Sequence, residues 1–454
     1  MKPLITVYIT NHNYGKFISK SIKSVLNQSF KKYELIIIDD GSSDNSINII
    51  NKFCKMNENI IFVKQKKRGL VASNNIAISL AKGRFIMRLD ADDWLHKDAL
   101  WEMFRVIEKN NKTAMVFPDY FEVDINGKKI SRFVRHNFKK VNLKDQPAHG
   151  ACSLIRLSIL RKIGGYDEKF VCQDGYYIWM KLLKYNVENI NKPLFYYRKH
   201  GSNLTSNISF INKTKSKILD YVNKRSKKRS IAILPFRGAK INKYSLMMKK
   251  LNGKELIKHT IDLSIQSNKI SKVIVSSNDE KSIRKLRSHY KKNKKVLFHK
   301  RDESLSLFNT PLKETLKSCI KFARVKNIKF DYVYLINTTY PFISDDDISN
   351  SFNILDFFNL DKVISVIKQT SNYYIHNGKS LKKINDDTNL RLERNEIYEE
   401  TGGITIYNKN NLFKKNVKIG HVLLDRLRSF KIIEENDFSH AKIISKQLKV
   451  SKNI

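Results

Sequence analysis

Three carboxylates within four residues, Asp90, Asp92 and Asp93, follow directly on the apolar run Arg84-Phe-Ile-Met-Arg-Leu89. The run reads as a strand, so the acids fall at a strand end. Carboxylates this close repel one another, and unpaired they cost stability. A divalent cation relieves that cost, because Mg2+ and Mn2+ prefer hard oxygen ligands and keep positions open for phosphates. The same residues also read as an acidic loop ahead of a helix starting near Lys97, where a helix dipole favours negative charge. Both readings stay open on these residues alone.

The acids belong to a longer alternation. Leu4–Thr10 is rich in β-formers and ends in the turn cluster Asn11-His12-Asn13-Tyr14-Gly15. Phe17, Ile18, Ile22, Val25 and Leu26 recur at helical spacing. Tyr33–Ile38 is a continuous apolar strand, as in a buried parallel sheet, and it ends in Asp39-Asp40-Gly41. A helix near Asn45, a strand over Ile60–Lys64 and a helix over Leu70–Ala81 precede the strand before Asp90. This alternation predicts an α/β domain with a mostly parallel sheet. Ligands of such sheets bind beyond the carboxyl ends of the strands, where Thr10, Asp40 and Asp90–Asp93 all fall.

A chain of 454 residues with 41% hydrophobic content has room for two or three cored domains. Four scattered cysteines without a CxxC pair argue against a zinc ribbon or disulfide scaffold and suit a reducing cytoplasm. Met1–Val7 runs straight into a strand, unlike a signal peptide, and no apolar run approaches the roughly 20 residues of a membrane span. The formal charge of +43 suits nucleotides, anionic lipid or nucleic acid. Lysine is abundant everywhere, however, which fits a general compositional bias, and no nucleic-acid-binding module stands out. The expected location is therefore cytoplasmic, with membrane contact at most peripheral.

The segments Ile5-Thr-Val-Tyr-Ile-Thr-Asn-His-Asn-Tyr-Gly15, Ser21–Phe30, Glu34–Asp44, Arg68–Ala77 and Lys82–Asp93 resemble family 2 glycosyltransferases of the GT-A fold, over about residues 1–205. The resemblance implies that Asp40 accepts the N3–H of a pyrimidine base and that Thr10 lines the nucleotide pocket. Asp39 is expected to be structural. Arg68 would approach the base or diphosphate, or stay solvated. Asp90-Ala91-Asp92 matches the DXD motif, with Asp90 at the nucleotide and, together with Asp92, at Mg2+ or Mn2+, Asp92 being the best candidate for direct metal contact. Gln173-Asp174 stands where the family has an acidic pair at a helix start. Asp174 is the candidate base, and it is equally placed to stabilise a helix N-terminus. His200, in Tyr196–Thr205, would ligate the metal, touch the diphosphate or serve structure. Inversion at the anomeric carbon is what the family implies.

The Lys- and Ser-rich stretch from 209 to 229 reads as a basic, partly helical linker between domains at 1–208 and 230–454. Beyond it the alternation restarts: strand Ile231–Leu234, helix Glu255–Ile265, strand Lys272–Ser276, helix Asp279–Tyr290, strand Val296–His299, helix Leu312–Val325 and strand Asp331–Ile336. A basic, glycine-containing loop, Pro235–Lys240, follows the first strand and suits a triphosphate. Ile233–Lys240, Lys250–Ile261, Val273–Glu280, Tyr334–Phe342 and Tyr398–Tyr407 resemble CMP-sugar synthetases, the acylneuraminate and related cytidylyltransferases. That implies nucleotide contacts at Arg237, Lys240, Asn337 and Thr339, CTP and a nonulosonic acid as ligands, and a homodimer through this domain. The chain departs from the family where it carries two metal-holding aspartates in a Ser-x-Asp-x-Asp pattern. Here Ser429-Phe-Lys431-Ile-Ile433 puts lysine and isoleucine at those places. Lys431 would replace a metal by fixed charge, or Glu434 would reach in.

The expectation is thus an α/β chain of two Rossmann-like domains, each a mostly parallel sheet with flanking helices. Its first half transfers sugar from a nucleotide-diphosphate donor to a glycan or lipid-linked acceptor in capsule or lipopolysaccharide synthesis. Its second half is an altered cytidylyltransferase, or alternatively a dead nucleotide-binding scaffold. Binding of nucleic acid is not expected.

Overall fold

The computed structural model describes residues 2–134, 148–170, 172–200, 208–223, 226–238, 245–307, 309–369, 373–376, 380–383 and 397–450. The chain divides into two compact units between Ile218 and Leu219.

The first unit runs β1 (Ile5–Asn11), α1 (Gly15–Leu26), β2 (Tyr33–Asp40), α2 (Ser46–Met56), β3 (Ile60–Gln65), α3 (Leu70–Leu80) and β4 (Phe85–Asp90). It continues through β5 (Trp94–Leu95), α4 (Ala99–Glu108), β6 (Thr113–Val123), β7 (Lys129–Phe133), β8 (Leu154–Arg156), α5 (Leu157–Lys162), α6 (Asp174–Leu182) and β9 (Asn186–Arg198). The sheet order is β3-β2-β1-β4-β8-β6-β9-β5, with β7 on β6. The first four strands are parallel, as the apolar runs predict, and Leu35–Asp40 are buried throughout because the sheet is covered on both faces. The remainder is mixed: β8 runs antiparallel to β4 and β6, whereas β9 lies parallel to β6. The core gathers alternate residues of these strands, such as Ile5, Val7 and Ile9, against Ile18, Ile22 and Val25 of α1.

Two consequences of this order position the site. β2 and β3 build one side of β1 and β4 returns to the other, so the crevice between the ends of β1 and β4 is a topological switch point. Thr10 and Asp90 face each other there in register. Immediately afterwards the chain leaves β4, and Trp94 pairs with Tyr196 of β9. The acidic turn therefore bridges two distant places in one sheet.

A helix, α7 (Ile208–Val222), precedes the strands of the second unit. That unit then runs β10 (Ser230–Pro235), β11 (Lys250–Leu251), β12 (Lys254–Glu255), α8 (Leu256–Gln266), β13 (Ile270–Ser277), α9 (Glu280–His289), β14 (Val296–Lys300), α10 (Leu312–Val325) and β15 (Tyr332–Ile336). Next come α11 (Asp345–Phe357), β16 (Lys362–Gln369), β17 (Tyr374–His376), β18 (Leu381–Lys383), β19 (Ile397–Asn408), β20 (Ile419–Leu423) and α12 (Asp437–Val450). The main sheet is β14-β13-β10-β15-β19-β16-β20. Its first four strands are parallel and repeat the arrangement of the first unit, with β10 in the place of β1 and β15 in that of β4. β19 is antiparallel to both its neighbours. Ile231, Ile233, Ile274 and Val333 pack against Leu316, Ile320 and Ala323 of α10. Ser344 and Asp347 close α11 with a reciprocal capping box.

Glu255, at the end of β12, meets Lys258 Nζ and Lys285 Nζ, each at 3.0 Å. Burial alone would raise its pKa, but hydrogen bonds from its own backbone N–H and the two lysines prevail and bring it down to about 2. An unfolded glutamate titrates near ~4.3, so this group stabilises the fold above that pH and the contribution is lost as pH falls through the folded value. Glu255→Gln is expected to cost about 1 kcal/mol near neutral pH, because Lys285 is mostly solvated. Urea melts of both proteins should converge as the pH approaches the folded pKa, and a gap that persists or widens in acid would refute the assignment.

Candidate functional site

In the first unit a buried arginine, Arg88 on β4, joins two carboxylates from different elements. Its Nε lies 2.9 Å from Asp90 Oδ1, and Nη1 ion-pairs with Asp174 Oδ2 at the start of α6. The Nε approach is close enough for an ion pair but poorly directed for a hydrogen bond. Asn74 Nδ2 donates to the same Asp174 oxygen at 3.0 Å, and Asn74 Oδ1 in turn accepts from Tyr8 at 3.1 Å. Asp174 Oδ1 accepts no hydrogen bond from a described residue. Gln173, ahead of it, adopts a left-handed backbone (φ 60°), which turns the chain into α6. Space for the guanidinium comes from glycine. A Cβ on Gly150 would stand 2.7 Å from Arg88 Nη2, and one on Gly175 would stand 2.8 Å from Gly150 Cα.

The acidic turn is held from the other side by Arg198, the last residue of β9. Its backbone N–H donates to Asp93 Oδ1 and its Nε to the Asp92 carbonyl, both at 2.9 Å. Its guanidinium lies over Phe17 and Trp94. Asp92 Oδ2 faces His200 Nε2 at 2.9 Å, and the imidazole stacks on Phe17. Negative charge is in excess here. Burial first, partly offset by Arg88, and then Asp92 and Asp174 push Asp90 up to about 6. Burial, then Asp92 and Asp90, raise Asp93 well above the carboxylate range, and its Oδ2 is buried without a hydrogen-bond partner among the described residues. Burial, followed by Asp92, Asp90 and Asp93, also lifts the Tyr14 phenol to about 12.

Asp40 serves the neighbouring loop. Its Oδ1 accepts from Gln65 Nε2 and from the Arg68 N–H, both at 2.7 Å, and its Oδ2 from the Gly69 N–H at 2.8 Å. The Arg68 side chain is exposed. Asp39 is fully buried and accepts from Asn11 and from Ser42, a purely structural set. Thr10, Asp40, Asp90, Asp92, Asp174 and His200 thus share the carboxyl-end side of the parallel strands. Among the described residues, no three His, Cys, Asp or Glu side chains are gathered as a ready metal-ligating group: Asp92 and His200 meet, while Asp90 turns to Arg88.

Sequence reasoning assigned no role to Arg88, Asn74 or Arg198. Arg88 had a signal, a lone charge inside a strand buried on both faces, which must find a partner.

In the second unit a cavity of about 420 Å3 opens at the matching switch point, beyond the ends of β10 and β15. Arg237, Asn337, Thr339 and Lys431 line it, together with Arg301, which the sequence did not single out. Asn337 Oδ1 accepts from the Thr339 N–H at 3.1 Å and from its hydroxyl at 2.9 Å. Lys240 lies outside the described residues. No Asp or Glu lines the cavity among the described residues, and Glu434 is not part of its wall.

Residues 6–164 match the family model described as Glycosyl transferase family 2, and residues 247–452 that described as Cytidylyltransferase. The first match ends before Asp174 and His200, and the second begins after Arg237. An uncharacterized glycosyltransferase of Methanocaldococcus jannaschii is 29% identical over 43% of this chain and 71% of its own length. Chondroitin synthase of Escherichia coli is 28% identical over 44% of this chain, which spans only 30% of that protein. An uncharacterized glycosyltransferase of Haemophilus influenzae is 26% identical over 72% of this chain and 99% of its own length. The chain therefore joins a family 2 glycosyltransferase half to a cytidylyltransferase-like half.

Replacing Arg88 by Met leaves Asp90 and Asp174 facing each other without their shared counter-charge. Breaking one side of a buried ion pair costs about 3–5 kcal/mol. Urea unfolding of Arg88→Met should show that loss, and Arg88→Met/Asp174→Asn should recover part of it. Equal losses in the two variants would mean that Arg88 acts by packing alone.

Proposed function

We propose that the first unit transfers a sugar from a nucleotide-diphosphate donor to a hydroxyl of a glycan or lipid-linked acceptor, with inversion, in surface polysaccharide synthesis. The observation that carries this reading is the Asp90–Arg88–Asp174 bridge beside the Asp92–His200 pair at the switch point. The polymer-building role is supported by the relative named for chondroitin synthesis. Asp92 Oδ2 and His200 Nε2 offer an oxygen and a nitrogen ligand, and the crowded acids beside them resist ionising until positive charge is added. This set fits Mg2+ or Mn2+, the latter tolerating imidazole better. Such an ion, when bound, supplies positive charge to the departing diphosphate.

The protein's own groups divide the remaining work. Asp40 Oδ2 keeps a lone pair for the imide N–H of a pyrimidine, while its other contacts fix the Arg68–Gly69 loop. Thr10 stands beside Asp90 at the base of the nucleotide pocket. Asp174 Oδ1 takes the proton of the attacking hydroxyl, with Oδ2 clamped by Arg88 and Asn74 so that the free oxygen has a fixed aim. Arg88 is a positioning residue. The second unit is a nucleotide site related to cytidylyltransferases, and its natural ligands are CTP and a nonulosonic acid.

Asp174→Asn is expected to lose about 10²–10⁴-fold in transfer while keeping metal-dependent binding of a nucleoside diphosphate. Asp92→Ala should lose both. The check is donor-sugar turnover with a panel of nucleotide sugars, run beside UDP titration with and without Mn2+. Full turnover in Asp174→Asn would remove the base assignment, and Mn2+-dependent UDP binding by Asp92→Ala would remove the metal assignment.

A further inference from the structure

The second-unit cavity combines three cations with no acid among its described lining residues. Arg301 is almost wholly buried. Its Nε donates to Ser306 Oγ at 2.8 Å and its Nη2 to the Phe236 carbonyl at 2.7 Å, and no described carboxylate pairs with it. Arg237 is tethered to the same short segment, with Nε donating to the Ser306 carbonyl at 2.8 Å and Nη2 to that of Leu307 at 3.0 Å. Burial lowers the Arg301 pKa, and the like charge of Arg237 lowers it further. Two oriented guanidiniums of like charge are thus held on one short segment, the buried one with neutral acceptors among its described partners. Lys431, which also lines the cavity, adds a third positive charge in place of the family's first metal-holding aspartate. A buried charge needs a counter-charge. Every charged side chain among the described lining residues has the sign that attracts an anion and repels a divalent cation, so these residues do not fit the metal that cytidylyltransferases would place here.

We propose that this cavity binds the polyphosphate of a nucleoside triphosphate directly on Arg301, Arg237 and Lys431, without a divalent cation. The proposal rests on the reading of the second unit as a nucleotide site. Guanidinium groups bind phosphate oxygens through paired N–H donors, and the lysine adds a mobile point charge. Free CTP carries more negative charge than its Mg2+ complex, so these cations favour the uncomplexed nucleotide. The sign is opposite to that of the first unit, where an added cation strengthens nucleotide binding.

The test is calorimetric titration of full-length protein with CTP in EDTA and in excess Mg2+. Asp92→Ala serves as background, to silence the metal-dependent site of the first unit. CTP should bind in EDTA, and excess Mg2+ should weaken it about 3–10-fold. CMP should bind at least about tenfold more weakly than CTP, having lost two phosphates. Lys431→Ala, an exposed substitution with little risk to folding, should weaken CTP in EDTA about tenfold. Lys431→Asp, which restores an acid, should reverse the effect of Mg2+. Binding that appears only with Mg2+ would overturn the metal-free mode while leaving the nucleotide site standing. No binding of CTP in either condition would overturn both. Equal affinities for CMP and CTP, or no effect of Lys431→Ala, would overturn the assignment of these cations to the phosphates.

Discussion

A single guanidinium inside a sheet settles the geometry of the first unit. Arg88 lies on a strand covered on both faces, where an unpaired charge would cost several kcal/mol. Its two partners come from residues 2 and 86 positions away, so satisfying it fixes the end of β4 against the start of α6. The acidic turn inherits its place from that pairing, and Arg198 secures the turn from the other side through backbone groups. Asp92 is then the acid left to face His200. One arginine therefore distributes three neighbouring carboxylates among different duties.

The parallel strands of both units were legible because each is a short, continuous apolar run bounded by polar turns, and the helices because their apolar residues recur at helical spacing. Thr10, Asp40 and Asp90 could be placed at strand ends for the same reason. The mixed halves of the two sheets were not legible. β5 is only two residues long, and β9 mixes Asn, Lys and Pro among its apolar positions, so neither has a period that stands out. The partner of a side chain 86 or more residues away is likewise absent from any local pattern. Arg198 illustrates this: in sequence it is one basic residue among many, and only the crossing of β5 to β9 gives it the Asp92 carbonyl and the Asp93 carboxylate to hold.

The two units share the order of their first four strands and so place their clefts at equivalent points. Their chemistry diverges through side chains alone. One switch point gathers Asp90, Asp92 and Asp93, and the other gathers Arg237, Arg301 and Lys431. In the proposed readings both meet phosphates, the first through an intermediary cation and the second by fixed charge. Backbone topology fixes where a ligand sits, and the residues at the strand ends fix its charge state.

The contact between Gly150 and Gly175 has a consequence for exchanging parts among relatives. The two backbones touch beneath the Arg88 guanidinium, so each position limits what the other can carry. A graft that moved α6 alone would import a new side chain against an unchanged Gly150 loop. The loop before β8 and the first turn of α6 must therefore be transplanted together, with the arginine as the third member of the set.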